Sequence, residues 1–310
     1  MNDFQNTLRQ VFANGLSKLM DKNPALASIT FAPDLQGQQV QFGGSVRIRV
    51  PVMKEADDFD PEVGFDGQAT TYEKFDVTIN QSKKVEFEIN MGEASADADL
   101  PRIISEASEV VSSSLGQSVM NAIIATANNA VAFPLQKTIA APDFDYDQIV
   151  GLGVAMDNNL AFGERSIVIN PTGYGEALLD DRVIASNTNA GSNATQTGAL
   201  TDIAGFTIAK STGVTKAGAN FRGMALNKSA IAFVPLIPID LQAAAKLPKV
   251  AECGVYTDAA TGISMYWQAW FDTNKVKARI AAVIFYGVGA CRKDGLIRIT
   301  NAGADVLELP

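Results

Sequence analysis

Histidine is absent from the 310 residues of this chain, and that limits the chemistry open to it. Histidine is the usual general base near neutral pH and the commonest protein ligand for metals. Ordinary serine and cysteine triads and most zinc or iron sites are therefore excluded. Carboxylate, lysine and magnesium chemistry remain. The two cysteines, Cys253 and Cys291, are too few for a metal site of their own or a disulfide framework. They are expected to be buried thiols in a reducing compartment.

Five stretches invite a chemical reading. Gly205-Phe-Thr-Ile-Ala-Lys210-Ser211 has the lysine and serine of a phosphate-binding loop. It lacks the glycine before the lysine that lets backbone N–H groups approach phosphates, so it reads as a strand entering a turn. Asp143, Asp145 and Asp147 are spaced like the start of a calcium loop. Gln148 stands where that loop needs glycine and Val154 where it needs a carboxylate. Acidic residues opening a helix, favoured by its dipole, are the better reading. Asp57, Asp58, Asp60 and Glu62 offer oxygen ligands but read as a solvated acidic loop. Gly287-Val-Gly289 is a fragment of a dinucleotide fingerprint without the helix that should follow. Tyr266, Trp267, Trp270 and Phe271 predict core packing on one strand face and a subunit contact on the other. No catalytic residue, metal site or cofactor emerges.

Composition narrows the class. Net charge is −9, from 34 acidic and 25 basic side chains. Sequence-specific nucleic-acid binding needs clustered cations, so it is not expected. An apolar share of 47% with 19% charged residues fits a globular core. At about 150 residues per domain the length suggests two domains or one large one. No stretch reaches the roughly 18–20 apolar residues of a membrane span. Residues 1–20 show neither a long apolar core nor a small-residue cleavage site, so no signal peptide is expected.

The elements follow from periodicity. Phe4, Leu8, Val11, Phe12, Leu16 and Leu19 predict a short amphipathic helix in an N-terminal arm. After Gly43-Gly44 the pattern alternates: Val46, Ile48, Val50 and Val52 against Arg47 and Arg49. Phe75, Val77 and Ile79 alternate next. A turn over Gln81–Lys84 follows, then Val85, Phe87 and Ile89. These predict three strands of one antiparallel ribbon with an acidic loop over 55–66. From Leu100 the spacing becomes helical, through Ile104, Ala107, Val111, Leu115, Val119 and Ala122. That predicts a helix of about 28 residues, twice the usual length, interrupted at Ser112–Gly116. A short strand is expected between Pro134 and Pro142. A helix is expected from Asp143–Asp147 to Leu160, with Ile149, Val150, Val154 and Leu160 on its apolar face. Arg165–Ile169 reads as a strand and 172–183 as a helix begun by Asn170-Pro171. Residues 186–201 read as a polar surface loop. The rest reads mainly as strands, with a helix near 240–247, a hairpin over 263–286 and a last strand at 296–299.

Arm, glycine pair, acidic-tipped ribbon, very long helix, mixed middle and β-rich end occur in an order that resembles the Hong Kong 97-type fold of tailed-phage capsid proteins. Glu164-Arg-Ser-Ile-Val-Ile-Asn-Pro-Thr-Gly-Tyr174 resembles that family's A-domain strand and its proline-started helix. Thr201-Asp-Ile-Ala-Gly-Phe-Thr-Ile208 and Ile284-Phe-Tyr-Gly-Val-Gly-Ala290 resemble other family elements; the latter, with Leu296–Ile299, is closest to short-tailed-phage coat proteins. The resemblance implies an α+β chain divided into an N-terminal arm (1–42) and an extended β-ribbon or E-loop (43–92). A P-domain segment with the spine helix (93–142), an A-domain (143–255) and a returning P-domain segment (256–310) would follow. It implies a non-enzymatic shell subunit that forms pentamers and hexamers around double-stranded DNA, contacted without sequence preference. Expected partners are a separate scaffolding protein, a portal protein and a decoration protein, with no membrane. The location would be the virion, after assembly in the host cytoplasm.

Within that reading Arg47, Arg49, Phe75, Val77, Ile79, Val85, Phe87 and Ile89 are the candidate subunit contacts, and Gly43, Gly44, Gly92 and Gly116 the candidate hinges. Two alternatives remain: an encapsulin-type compartment, and a small-molecule-binding protein or carboxylate-dependent enzyme of mixed α/β form. The latter would need a pocket with convergent polar groups.

Overall fold

In the computed structural model, residues 25–26, 30–31, 41–51, 72–90, 100–140, 143–159, 161, 163–189, 198, 200, 202–216, 220–236, 252–257, 263–272, 274–275 and 277–301 are described. They form two six-stranded sheets, a two-stranded ribbon and five α-helices. The predicted arm helix, the acidic loop, Gly92 and the helix near 240–247 lie outside the described residues.

The alternation at the start of the chain does make strands. After a short β1 (Thr30–Phe31), β2 (Ser45–Pro51) pairs antiparallel with β3 (Tyr72–Thr78). The expected third ribbon strand is placed differently. β4 (Gln81–Asn90) leaves the ribbon immediately after Ile79-Asn80 and never pairs with β3. Periodicity reported the strand but could not report its partner, because alternation looks the same in any half-buried strand.

The long helix α1 (Leu100–Ala127) spans 28 residues. It is continuous through Ser112–Gly116, where an interruption was expected. Val111, Leu115, Val119, Met120, Ile123 and Ile124 are all buried along one face. At about 1.5–3 kcal/mol per buried side chain, they outweigh a glycine that costs about 1 kcal/mol within a helix. The hydroxyls are also accommodated: Ser118 donates to the Ser114 carbonyl at 2.9 Å and Thr126 to Ala122 at 3.0 Å.

β5 (Gln136–Thr138) then precedes α2 (Tyr146–Asn158). Asp145 caps α2 by accepting from the Gln148 N–H at 2.9 Å, so one of the calcium-like carboxylates is a helix cap. The buried face of α2 is Ile149, Leu152, Gly153 and Met156, whereas Val150 and Val154 are exposed, at 37% and 54%. The expected face was therefore rotated; the helix turns a glycine toward the core, and apolar counting overlooks glycine.

β6 (Arg165–Ile169) matches its expected span. The helix expected over 172–183 is two helices, α3 (Pro171–Leu179) and α4 (Asp181–Asn189). Asp180 separates them in an extended conformation, its carboxylate accepting from the N–H groups of Arg182 (2.9 Å) and Tyr146 (2.8 Å). α4 occupies the start of what was expected to be a loop.

The chain continues through β7 (Asp202–Ile203), β8 (Phe206–Lys210), α5 (Thr212–Lys216), β9 (Phe221–Asn227) and β10 (Ile231–Leu236). β11 (Glu252–Thr257), which the sequence reading missed, β12 (Ser264–Asp272), β13 (Lys277–Ala290) and β14 (Leu296–Thr300) complete it. The β7–β8 turn is Ala204-Gly205, both with positive φ, 48° and 79°. The supposed phosphate loop is thus the end of a two-residue hairpin.

One sheet has the order β1-β10-β13-β12-β11, with β4 also on β13. α1 covers it, and its core includes Phe233, Trp267, Ile280 and Tyr286. The other sheet has the order β5-β14-β9-β6-β8-β7. Its core joins Ile167, Ile169, Phe206 and Ile299 to α2 and α3. Sheet membership cuts across the expected segment boundaries. β10 falls in 143–255 and β11 straddles its end, yet both build the first sheet, while β5 and β14 fall outside that range and build the second.

Candidate functional site

The ribbon has two unlike faces because its register puts every second residue pair on the same side. On one face Ser45 meets Thr78 through a 3.0 Å hydroxyl contact, Arg47 meets Asp76, and Arg49 stands opposite Lys74. Arg47 grips Asp76 with two N–H donors, at 2.8 and 3.2 Å. Those bonds, helped by the guanidinium charge, hold the Asp76 carboxyl below its ordinary value. Both side chains are more than half exposed. Arg47 therefore has a partner in its own chain, whereas Arg49 faces a like charge.

The other face is apolar, and its root is occupied from within. Val46, Val77 and Ile79 are buried against Ala232, Val234 and Cys291, with Ile48, Phe75 and Leu236 packed partly over them. Val85 and Phe87 pack partly buried against the core beneath α1. Ile89 lies opposite Ala278 in the β4–β13 ladder. Of the six apolar contact candidates, Val85 and Phe87 lie on β4 and not on the ribbon, and Val77 and Ile79 bury in their own subunit. The cause is the crossing of the ribbon root over β13 and β10. Phe75 and Ile48 keep part of their surface exposed.

The glycine candidates also resolve. Gly43, at φ 88°, occupies the third position of a turn closed by Gly44 N–H to the Gln41 carbonyl at 2.8 Å. Gly43 N–H donates to the Ile79 carbonyl at 2.8 Å, and Ile79 N–H donates to the Gly44 carbonyl at 3.0 Å. Gly116 is buried within α1.

The acidic residues of β4 are paired across its own sheet. Glu88 accepts from Lys277 at 2.9 Å and pairs with Arg279 at 2.7 Å, and Arg279 also reaches Glu86 and Asp272 at 3.6 and 3.5 Å. The Lys277 hydrogen bond, with the nearby cations, holds Glu88 below the usual carboxylate value. Beside this strand an open groove runs along the last turns of α1, lined by Asn80, Gln81, Lys83, Asn121 and Asn129. On β12, Trp267 is buried in the core while Tyr266 and Trp270 are half-buried on the opposite face. Among the described residues no three His, Cys, Asp or Glu side chains gather as metal ligands would. No helix among them is long and apolar enough to cross a membrane.

No protein-family model matches the chain, and no curated protein matches it by sequence. Solved structures do. The capsid of Ralstonia phage GP4 overlaps 91% of this chain and 89% of its own, with a TM-score of 0.58 and 12% identity. The capsid of cyanophage P-SCSP1u overlaps 89% and 87%, with a TM-score of 0.57 and 16% identity.

The chain has the Hong Kong 97-type capsid fold.

A virus-like particle from Pyrococcus furiosus shares it across 95% of this chain and 98% of its own, at a TM-score of 0.54 and 9% identity. At such identities the capsid fold is carried by pattern and burial, not by retained residues.

One cross-tie of this capsid fold escaped the sequence reading. Arg222, on β9, is the largest fully buried side chain among the described residues. Its guanidinium donates to both oxygens of Glu176 on α3 at 2.7 Å, and to the carbonyls of Ala140 and Ile139 at 3.2 and 3.4 Å. It thus ties β9 to α3 and to the segment between β5 and α2. The only sequence signal was a charged residue inside the apolar run Phe221–Leu226. Tyr174 makes a second tie. Its hydroxyl accepts from Leu200 N–H at 2.6 Å and contacts the Gly198 carbonyl at 3.4 Å, holding the segment before β7 against α3.

Proposed function

We propose that this chain is the major capsid protein of a tailed phage, a shell subunit that self-associates into pentamers and hexamers of an icosahedral head around double-stranded DNA. The observation that carries the reading is near-complete structural overlap with two phage capsid subunits. A two-stranded ribbon adds physical support. Such ribbons are marginal alone in water, and this one keeps the partly buried Ile48 and Phe75 and the like-charged Arg49 and Lys74 toward the end away from its root. Identical subunits arranged by symmetry would cover that end many times over.

On this reading the ribbon is the E-loop, α1 the spine helix, the α1-covered sheet the P-domain and the second sheet the A-domain. Arg49, faced by Lys74, is the cation we assign to a neighbour's carboxylate. Phe75 and Ile48 supply the apolar part of the same contact. Bending at Gly43-Gly44 or Gly116 would break contacts already in place. Gly92 and the ribbon beyond Phe75 are therefore the proposed places where subunits of five- and six-fold settings differ. Scaffolding, portal and decoration proteins are the proposed partners, and the virion the proposed location. A net negative subunit suits a container from which DNA must slide freely.

The Pyrococcus particle favours one second reading, a compartment that encloses something other than a phage genome. The two separate on contents: particles purified from the source should carry nuclease-protected DNA for a phage head and none for a protein-filled compartment. For self-association itself, size-exclusion with light scattering should give masses of many subunits, against 32.9 kDa for the monomer.

A further inference from the structure

Gly287-Val-Gly289, which looked like a piece of a nucleotide motif, sits where the ribbon root crosses β13. A methyl group on Gly287 would lie 2.5 Å from the Thr78 carbonyl oxygen and 3.1 Å from the Ile79 Cα. One on Gly289 would lie 2.4 Å from a methyl of Val77. Nothing smaller than a side chain's absence lets these segments touch. Val77 and Ile79 are each about 1% exposed, so neither can move aside into solvent. On the other side of the crossing, Ile79 is bonded in both directions to Gly43-Gly44.

We propose that Gly287 and Gly289 form a seat that fixes the ribbon to the body of the subunit and sets the angle at which it leaves. The ribbon root and the β10–β13 part of the sheet then move as one body, and the reach of the ribbon is decided at this crossing and not at the glycine pair. The two glycines act differently. At Gly287 the obstacle is backbone, which no substitution can remove. At Gly289 the obstacle is the side chain of Val77, one methyl at 2.4 Å with the other methyl and the Cβ at 3.2 Å, and both methyls can be cut away.

That asymmetry supplies the test. Hydrogen exchange on the unassembled full chain reads the Gly43 and Ile79 amides, whose bonds close the root. Gly289→Ala should speed exchange at both by at least about tenfold, the change expected for loss of about 1.4 kcal/mol of local protection. Gly289→Ala with Val77→Ala should restore protection, because removing both Val77 methyls clears the 2.4 Å clash and leaves only the Val77 Cβ at 3.2 Å. Gly287→Ala should lose protection whether or not Val77 is truncated. Gly175→Ala, where an added methyl meets nothing within 4 Å, is the control for a glycine with no neighbour and should leave both amides unchanged. Unchanged exchange in Gly289→Ala, or no recovery in the double variant, would overturn the seat. If Gly289→Ala does not fold, recovery of a folded double variant supports the proposal and its failure to fold opposes it. Because exchange is read before assembly, the result stands apart from the capsid reading. On that reading, Gly289→Ala should also give misshapen or incomplete shells, repaired by Val77→Ala.

Discussion

The ribbon and the second sheet each contain an arginine bonded twice to a carboxylate, and the two pairs do opposite things. Arg222–Glu176 has side chains 0% and 10% exposed, inside a strand, β9, that is buried at every position. Arg47–Asp76 is more than half exposed, on a strand pair that alternates between solvent and core. The same chemistry is an interior cross-tie in one place and an exchangeable surface contact in the other. Burial decides, because a charge removed from water has no substitute partner there.

The sharpest way to break this contrast is to cut the buried tie. Glu176→Ala leaves Arg222 charged and enclosed, and should cost about 3–5 kcal/mol, read as a large fall in the denaturant midpoint. A smaller value would mean that the second sheet tolerates water at β9. The ribbon itself is divided, with a root that behaves like interior. Ile79→Val should cost about 0.5–1.5 kcal/mol by the same measurement, as for any filled core site.

Alkaline pH probes the first sheet, at the ribbon root through Cys291 and beneath α1 through Tyr286. Burial pushes the Cys291 thiol up from 9.0 to about 11, and the Tyr286 phenol up from 10.0 to about 12. Each folded value is raised, so each group's contribution is whole below the unfolded value. It is lost as pH rises toward the folded one. Stability should begin to fall near pH 9 and continue to about pH 12, and Cys291→Ala should remove the first part of that decline. The smallest effect belongs to the exposed pair. Arg47→Ala should leave the melting temperature of the unassembled subunit unchanged, since exposed ion pairs contribute little. A marked drop would place Arg47 with the interior group.

Much of this architecture could be read from the sequence, and the failures share a cause. β2, β3, α1, β6 and the β12–β13 hairpin announce themselves through strict periodicity, which is a local property. Partnerships are not local. Val85 and Phe87 alternate as a ribbon strand would, yet β4 pairs with β13, nearly two hundred residues further along. Asp180 splits a helix because its carboxylate reaches Tyr146 on another element. Gly153 is part of the core face of α2 although it contributes no apolar side chain, resting 3.4 Å by its would-be Cβ from the Phe206 ring. Arg222 could not be singled out from the sequence, since nothing in the neighbouring residues reveals the carboxylate on α3. The candidate contacts were legible as residue types, but which of them stay free for a neighbour depends on the glycine crossing at β13.

Whether this fold builds a shell is decided by electron microscopy of the purified full chain across a concentration series. A shell subunit should give closed shells or capsomer-sized rings that become more abundant with concentration. A folded, dispersed monomer at every concentration would contradict that role.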